Sequence, residues 1–156
     1  MDKIRVFHIL YNEMRPFREI SIKQVSALKF SHGGHLLACA SGKVVYIYSA
    51  YSLEQVEILK NHANTVTDLA WGQRDLTLTT VGSDGGVYEY PIIADVIGKG
   101  ERESNKKSSD YSSVIYTMTN TILACGIDTH DSILRESTQT GEEFRLYNLG
   151  SSVKLN

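Results

Sequence analysis

The sequence predicts an all-β fold made of repeated antiparallel units, and three observations lead to this prediction. First, short runs of Val, Ile, Leu, Thr and Tyr, which favour strands, alternate with polar turns that contain glycine. Second, Val66–Trp71 repeats Val25–Phe30 at an offset of 41 residues, and Tyr88–Tyr90 repeats Tyr46–Tyr48 at an offset of 42. Third, a fainter copy begins at Val114. Periods of about 40–45 residues with four strands per unit are typical of β-propeller blades.

The best-preserved unit can be assigned strand by strand. Val66–Trp71 is mostly apolar, as expected of an inner strand covered on both sides. Leu76–Val81 and Val87–Tyr90 are predicted to be the second and third strands. The turn between them, Gly82–Gly86, is rich in glycine, which takes positive φ without steric cost.

This unit resembles a WD40 repeat. In that family a His at the blade entrance, a Ser or Thr in the second strand, an Asp in the following turn and a Trp in the third strand form a hydrogen-bonded network. The matching positions here are His62, Thr80, Asp84 and Tyr90. The resemblance implies a buried structural network in which a carboxylate binds an imidazole, and not a ligand site. Two positions depart from the pattern, since Asn61 replaces the usual Gly and Tyr90 replaces the Trp.

The repeats divide the chain into about three four-stranded blades of a WD40-type β-propeller fragment, incomplete at both ends. The predicted parts are 1–16 as the end of a preceding blade, 17–50 as a degenerate blade, 51–91 as the best-preserved blade, 92–113 as an outer strand and polar loop, and 114–156 as a faint blade and the start of a next one. The degenerate blade has Ala38 and Gly42 where the Thr and Asp would lie, so we expect it to fold by packing against its neighbours. Closed propellers typically have about four to eight blades. We therefore expect further blades to come from a longer chain.

Composition excludes several partners and compartments. The net charge is −2 and there is no long basic run, so the sequence predicts neither nucleic-acid nor anionic-membrane binding. No stretch approaches the ~18 apolar residues that cross a bilayer, and the N-terminus lacks the features of a signal peptide. Cys39 and Cys125 fall in second strands of two different blades, which favours two reduced thiols in an intracellular protein.

Several residues could suggest chemistry, and the sequence favours a structural interpretation of each. His32 and His35 flank Gly-Gly, which suits a tight turn, and no third metal ligand lies nearby in sequence. His62 and Asp84 would need a nucleophile to form a hydrolytic triad, and Thr80 is predicted to be buried. No phosphate-binding loop, dinucleotide fingerprint or catalytic elbow is present. The sequence therefore predicts no enzymatic activity, no metal and no cofactor.

One polar loop offers a regulatory alternative. Ser108 and Ser109 follow Lys106 and Lys107 within the loop between the second and third units. Phosphorylation there would change the charge of a solvated segment. The structural interpretation, a solvated connection, is favoured over a regulated docking loop.

A closer resemblance covers roughly residues 2–136. The stretches that carry it are Phe17–Ile22, Phe30–Leu37, Val44–Glu54, Val81–Tyr90, Gly98–Glu103 and Ile133–Glu136. In this order they resemble the second propeller region of the cilia- and flagella-associated protein 57 family. Members have WD40 repeats followed by long coiled coils, and are axonemal proteins linked to assembly of a subset of inner dynein arms. This chain shows no sustained heptad pattern.

The resemblance implies a noncatalytic protein-interaction scaffold in the ciliary or flagellar axoneme or the cytoplasm, with axonemal or dynein-arm proteins as partners. Two alternatives remain open. One is an enzyme whose active site is completed by the missing blades, and the other is a degenerate fragment without function.

Overall fold

The computed structural model describes residues 3–93, 96–102, 110–128, 131–137 and 144–148. These residues form antiparallel sheets and one short 3-10 turn, Gln73–Asp75. No helix among them is long and apolar enough to cross a membrane. The predicted all-β fold class is confirmed.

The strands form one two-stranded sheet and three larger sheets. The two-stranded sheet pairs β1 (Lys3–Ile9) with β2 (Met14–Ser21). The first blade contains β3 (Val25–Phe30), β4 (Leu36–Ser41), β5 (Val44–Ser49) and β6 (Gln55–Leu59). The second blade contains β7 (Val66–Trp71), β8 (Thr77–Gly82), β9 (Val87–Ile93), β10 (Val96–Ile97) and β11 (Glu101–Arg102). The third blade contains β12 (Asp110–Tyr116), β13 (Ile122–Asp128), β14 (Asp131–Ser137) and β15 (Phe144–Asn148).

Each blade places its strands side by side in chain order, with the first strand innermost. In the second blade two short strands share the outer edge, because β10 and β11 pair with different parts of β9. The turns after β4 and β8 contain Gly42 and Gly85 at φ of 56° and 67°. This left-handed conformation is one that glycine adopts without steric cost.

The hydrophobic core lies between the sheets rather than within any one of them. The first and second blades pack through side chains such as Ile47 and Leu69. Ala70 of the second blade packs in a separate cluster with Tyr111 and Val114 of the third. A third cluster joins the two-stranded sheet to the first blade. The described sheets therefore stack face to face, and they do not close into a ring.

The strands are grouped differently from the predicted division of the chain. The boundary predicted between residues 16 and 17 falls within β2, which pairs with β1 along its whole length. The segment 92–113, predicted as an outer strand and a polar loop, contains the short outer strands β10 and β11 and the start of β12. Phe144–Tyr147, which the sequence predicts to be an outer strand, lies in β15, the outermost strand of the third blade. Each sequence repeat thus begins with the outermost strand of the preceding sheet, so sheets and repeats are shifted by one strand.

Candidate functional site

Three of the four predicted network residues meet in the second blade. His62 lies just before β7, Thr80 lies in β8, and Asp84 lies in the turn between β8 and β9. The His62 Nδ1 atom is 3.0 Å from Asp84 Oδ1, and His62 Nε2 is 2.8 Å from Thr80 Oγ1. A Cβ atom at Gly82 would lie 2.8 Å from His62 Nδ1, so the turn needs glycine for this close approach.

The Asp84 carboxylate is surrounded by donors. Besides its contact with His62, it accepts hydrogen bonds from the backbone N–H groups of Ala63, at 2.8 Å, and Gly86, at 2.9 Å. Burial alone would raise the pKa of Asp84, but these hydrogen bonds favour the ionised form and lower the pKa below its ordinary value. The Thr80 hydroxyl is fully buried and bonded to the imidazole, so no substrate can reach it as a nucleophile.

Tyr90 differs from the expectation drawn from the family pattern. Its hydroxyl is buried and makes no hydrogen bond of ordinary geometry among the described residues. Burial raises the pKa of Tyr90 to about 12, although the nearby Thr80 hydroxyl opposes this shift. The aromatic ring that contacts the imidazole belongs instead to Tyr88, whose ring lies edge-on to His62 at a centroid distance of 4.7 Å. Sequence reasoning missed this role of Tyr88.

A second polar site, not predicted, joins all three blades through Asp68 in β7. Its carboxylate lies 3.0 Å from Lys29 Nζ of the first blade. From the third blade it accepts hydrogen bonds from Ser113 Oγ at 2.8 Å and Val114 N–H at 3.0 Å. Burial would raise the pKa of Asp68, but these donors lower it overall. A single charged residue in a mostly apolar inner strand is the sequence signal that could have revealed it.

A third polar site, also missed, is centred on the Tyr116 hydroxyl at the end of β12. It donates to Glu89 Oε1 at 2.7 Å and lies 2.8 Å from Thr77 Oγ1 and 2.6 Å from Thr79 Oγ1. Burial raises the pKa of Tyr116, and the Glu89 carboxylate adds to this effect. One buried hydroxyl of the third blade is thus bonded to two strands of the second.

The His32 and His35 pair lies beside a carboxylate that sequence reasoning did not place there. Asp75 Oδ1 is 3.1 Å from His32 Nδ1, and Asp75 Oδ2 is 4.0 Å from His35 Nδ1. The same carboxylate accepts hydrogen bonds from the backbone N–H groups of His32 and Gly33, both at 2.7 Å. These three side chains do not form a metal-binding group, and no other group of three or more ligand residues does so within the described ranges.

A cavity of about 290 Å³ lies where the three inner strands end. Its apolar walls include Phe30 of β3, Trp71 of β7 and Ile115 of β12. Its polar lining residues, Lys29, His32, Gln73, Tyr116 and Thr117, come from the same strand ends and the turns that follow them. The predicted regulatory residues Ser108 and Ser109 fall outside the described residues.

The comparison with family models decides what kind of repeat this is. The model of the WD domain, G-beta repeat, matches residues 19–49 and 53–90. The chain is a WD40-repeat protein. The predicted WD40 architecture and the resemblance to the cilia- and flagella-associated protein 57 family are both confirmed.

This WD40 chain is similar to much longer relatives. It is 40% identical over 113 residues to cilia- and flagella-associated protein 57 of Mus musculus, a match that covers 72% of this chain and 9% of that protein. It is 28% identical over 92 residues to cilia- and flagella-associated protein 57 A of Tetrahymena thermophila, covering 58% of this chain and 7% of that protein. The WD40 chain therefore corresponds to less than a tenth of the length of either relative.

A solved structure supports the fold. The β-propeller domain of Cps50 (Swd1) from Myceliophteria thermophila superposes with a TM-score of 0.62, covering 81% of this chain and 39% of that one. The sequence identity is 15%, so this likeness concerns the fold alone.

Proposed function

We propose that this chain is a noncatalytic protein-interaction scaffold. The observation that supports the proposal is that buried polar side chains are hydrogen-bonded within the protein itself. Asp68, Asp84 and Tyr116 are buried or half-buried groups of the kind that catalytic sites use, yet each is saturated by hydrogen bonds within the protein. Such groups rigidify blades, and WD40 repeats typically mediate protein–protein contact. We infer that the His62, Thr80 and Asp84 network has this structural role.

We further propose that the scaffold works in cilia or flagella. This proposal is supported by the similarity of the chain to proteins of Mus musculus and Tetrahymena thermophila whose names associate them with cilia and flagella. On the same ground, and on the family resemblance described above, we propose the axoneme as the site and inner dynein arm components as partners.

Cell fractionation tests the location. An antibody against residues 91–113 would be used on axonemes, detergent extracts of cilia and cell bodies of ciliated cells that express the chain. We expect the antigen in detergent-resistant axonemes. Antigen confined to cell bodies would contradict the ciliary proposal.

The dynein link needs a separate measurement. Loss of the gene should lower a subset of inner-arm dynein heavy chains in isolated axonemes, measured by quantitative mass spectrometry against outer-arm chains as the internal control. Unchanged inner-arm content would refute the dynein link and leave the scaffold role standing.

A further inference from the structure

The turn between β8 and β9 contains the one Asp-Gly pair of the sequence, Asp84–Gly85. In such a pair the backbone nitrogen of the glycine can attack the side-chain carboxyl group of the aspartate, because glycine has no side chain that shields this nitrogen. The attack needs the carboxyl group in its protonated form, so that water can leave. The surroundings of the carboxyl group and of the nitrogen therefore decide whether the pair reacts.

The backbone of this turn holds the two reacting groups close in the chain. Asp84 Oδ1 accepts a hydrogen bond from the N–H group of Gly86, two residues further on, at 2.9 Å. This is an Asx turn, and the ring that the hydrogen bond closes contains the Asp84–Gly85 peptide bond. Gly85 has a φ of 67°, a conformation that glycine adopts without steric cost. The turn thus favours the residue that leaves the nitrogen unshielded.

Hydrogen bonds restrain both reacting groups in the folded protein. His62 Nδ1 lies 3.0 Å and 3.2 Å from the two Asp84 carboxylate oxygens, and the Ala63 N–H group donates to Oδ2 at 2.8 Å. These donors favour the ionised carboxylate, which cannot release water. The Gly85 N–H group donates to Gly82 O at 3.2 Å, so the attacking nitrogen is engaged as well. The folded second blade therefore opposes the reaction at both atoms.

We propose that Asp84–Gly85 is a latent isoaspartate site that the contact with His62 keeps unreactive while the second blade is folded. When the blade opens, the Gly85 nitrogen attacks Asp84 Cγ. The N–Cγ bond forms, the nitrogen loses its proton, a Cγ–O bond breaks and water leaves, which gives a succinimide. Water then adds to the main-chain carbonyl and gives isoaspartate, or adds to the other carbonyl and restores aspartate. Water is the sole co-reactant, and the inference is independent of the proposed scaffold function.

The product does not fit the network that the aspartate forms. In isoaspartate the Cβ and Cγ atoms belong to the main chain, so the path from Asp84 Cα to the Gly85 nitrogen is one atom longer. Val81 and Val87 pair directly across this turn, and a longer turn disturbs their pairing. The free carboxylate is attached to Cα and loses its reach towards His62. An opening of the second blade is thus recorded as a covalent change.

Ageing of the full chain tests the proposal. One sample is kept folded and the other is kept in concentrated guanidinium chloride, both at neutral pH and physiological temperature. Trypsin releases the peptide of residues 75–99, and endoproteinase Asp-N cuts it before aspartate but not before isoaspartate. The fraction left uncut between Ser83 and Asp84 measures the modification. We expect at least tenfold faster modification in the denatured sample. Equal rates, or no isoaspartate in either sample, would overturn the proposal.

Matched variants test the role of His62. His62→Ala removes the donor to Asp84 and the contact with Thr80, whereas His62→Asn loses the contact with Thr80 and keeps an amide N–H near the position of Nδ1. Kept folded, His62→Ala should form isoaspartate at least threefold faster than the wild type, and His62→Asn should stay close to the wild-type rate. His62→Leu, which fills the space without a donor, replaces His62→Ala if circular dichroism shows that variant to be unfolded. Equal rates in the Ala (or Leu) and Asn variants would refute the role of His62.

Two controls separate this local effect from general loss of stability. Asp68→Ala removes contacts between blades and leaves the surroundings of Asp84 in place, so its folded form should keep the wild-type rate. Acceleration equal to that of the His62 variant would overturn the local protection. Pulse proteolysis of the aged, refolded chain, at a urea concentration just below the wild-type midpoint, should digest the modified molecules first. Equal isoaspartate content before and after the pulse would show that the product still fits the blade, contrary to the inference.

Discussion

Replacing Asp68 with alanine would remove an acceptor that touches the inner strands of all three blades. The carboxylate lies 3.0 Å from Lys29 Nζ, 2.8 Å from Ser113 Oγ and 3.0 Å from the Val114 N–H group. Val114 is almost fully buried, so its N–H group would lose its partner in a place that water reaches poorly. We therefore expect Asp68→Ala to loosen mainly the interface between the second and third blades.

The size of the effect follows from these contacts. Hydrogen bonds to a charged group contribute about 1.5–3 kcal/mol each, and they are not additive. Lys29 contributes little, because its side chain is 40% exposed and the ion pair is screened by water. Removing the carboxylate also removes the free-energy cost of burying its charge, and this offsets part of the hydrogen-bond free energy that is lost. We expect the free energy of unfolding to fall by about 2–4 kcal/mol. With a urea m-value of about 2 kcal/mol per M, the midpoint should fall by roughly 1–2 M.

Urea unfolding followed by Trp71 fluorescence measures this midpoint. The matched control is Glu19→Ala, which also removes a carboxylate with two cationic partners, Lys3 at 2.5 Å and Arg5 at 3.0 Å, but on an exposed surface. We expect no measurable shift for the control. Asp68→Asn should fall between wild type and Asp68→Ala, because it keeps an acceptor oxygen and loses the charge. A shift for Asp68→Ala no larger than that of the control would refute the reasoning.

Three other predictions follow from the polar sites. Asp84→Ala should lower the free energy of unfolding by about 1–3 kcal/mol, measured in the same urea assay, because buried donors lose their acceptor; an unchanged midpoint would mean that the network does not stabilise the blade. Tyr116→Phe should cost about 1–3 kcal/mol, while Tyr51→Phe, at an exposed site, should change nothing. The lowered pKa values of Asp68, Asp75 and Asp84 mean that their contribution is present above the ordinary Asp value of about 3.9 and is lost as pH falls through the folded-state values. The melting temperature should therefore be constant from neutral pH down to about 4 and fall at lower pH. A melting temperature that begins to fall near pH 6 would contradict this assignment.

The features that could be predicted from the sequence are local ones. Val25–Phe30 and Val66–Trp71 recur because each blade repeats the same strand pattern, so an offset of 41 residues was enough to predict the architecture. His62 and Asp84 are 22 residues apart within one repeat, and their contact could be predicted from a pattern typical of the family. The structure differs from the prediction at Tyr90. Packing determines which aromatic ring contacts the imidazole, and the sequence pattern does not specify that packing.

The contacts between blades could not be predicted in the same way. Asp68 and Val114 are 46 residues apart, and Asp75 and His32 are 43 apart, so these pairs join different repeats. Their distances depend on how adjacent sheets pack. The repeat pattern does not contain that information. An isolated Asp in a strand as apolar as β7 predicts that a partner exists, but it does not say which blade supplies it.

The distribution of these contacts makes the second blade the one on which both neighbours depend. The first blade lacks the Thr and Asp of the network, and Ala38 and Gly42 stand in their places. It is instead bonded to the second blade, since Ser26 Oγ donates to Val66 O at 2.6 Å and Trp71 Nε1 donates to Lys29 O at 3.1 Å. The third blade is bonded to it through Asp68 and through Tyr116. The second blade thus carries the His62, Thr80 and Asp84 network, and both of its neighbours are hydrogen-bonded to it. We therefore expect a substitution in the network of the second blade to weaken that blade and also its contacts with both neighbours.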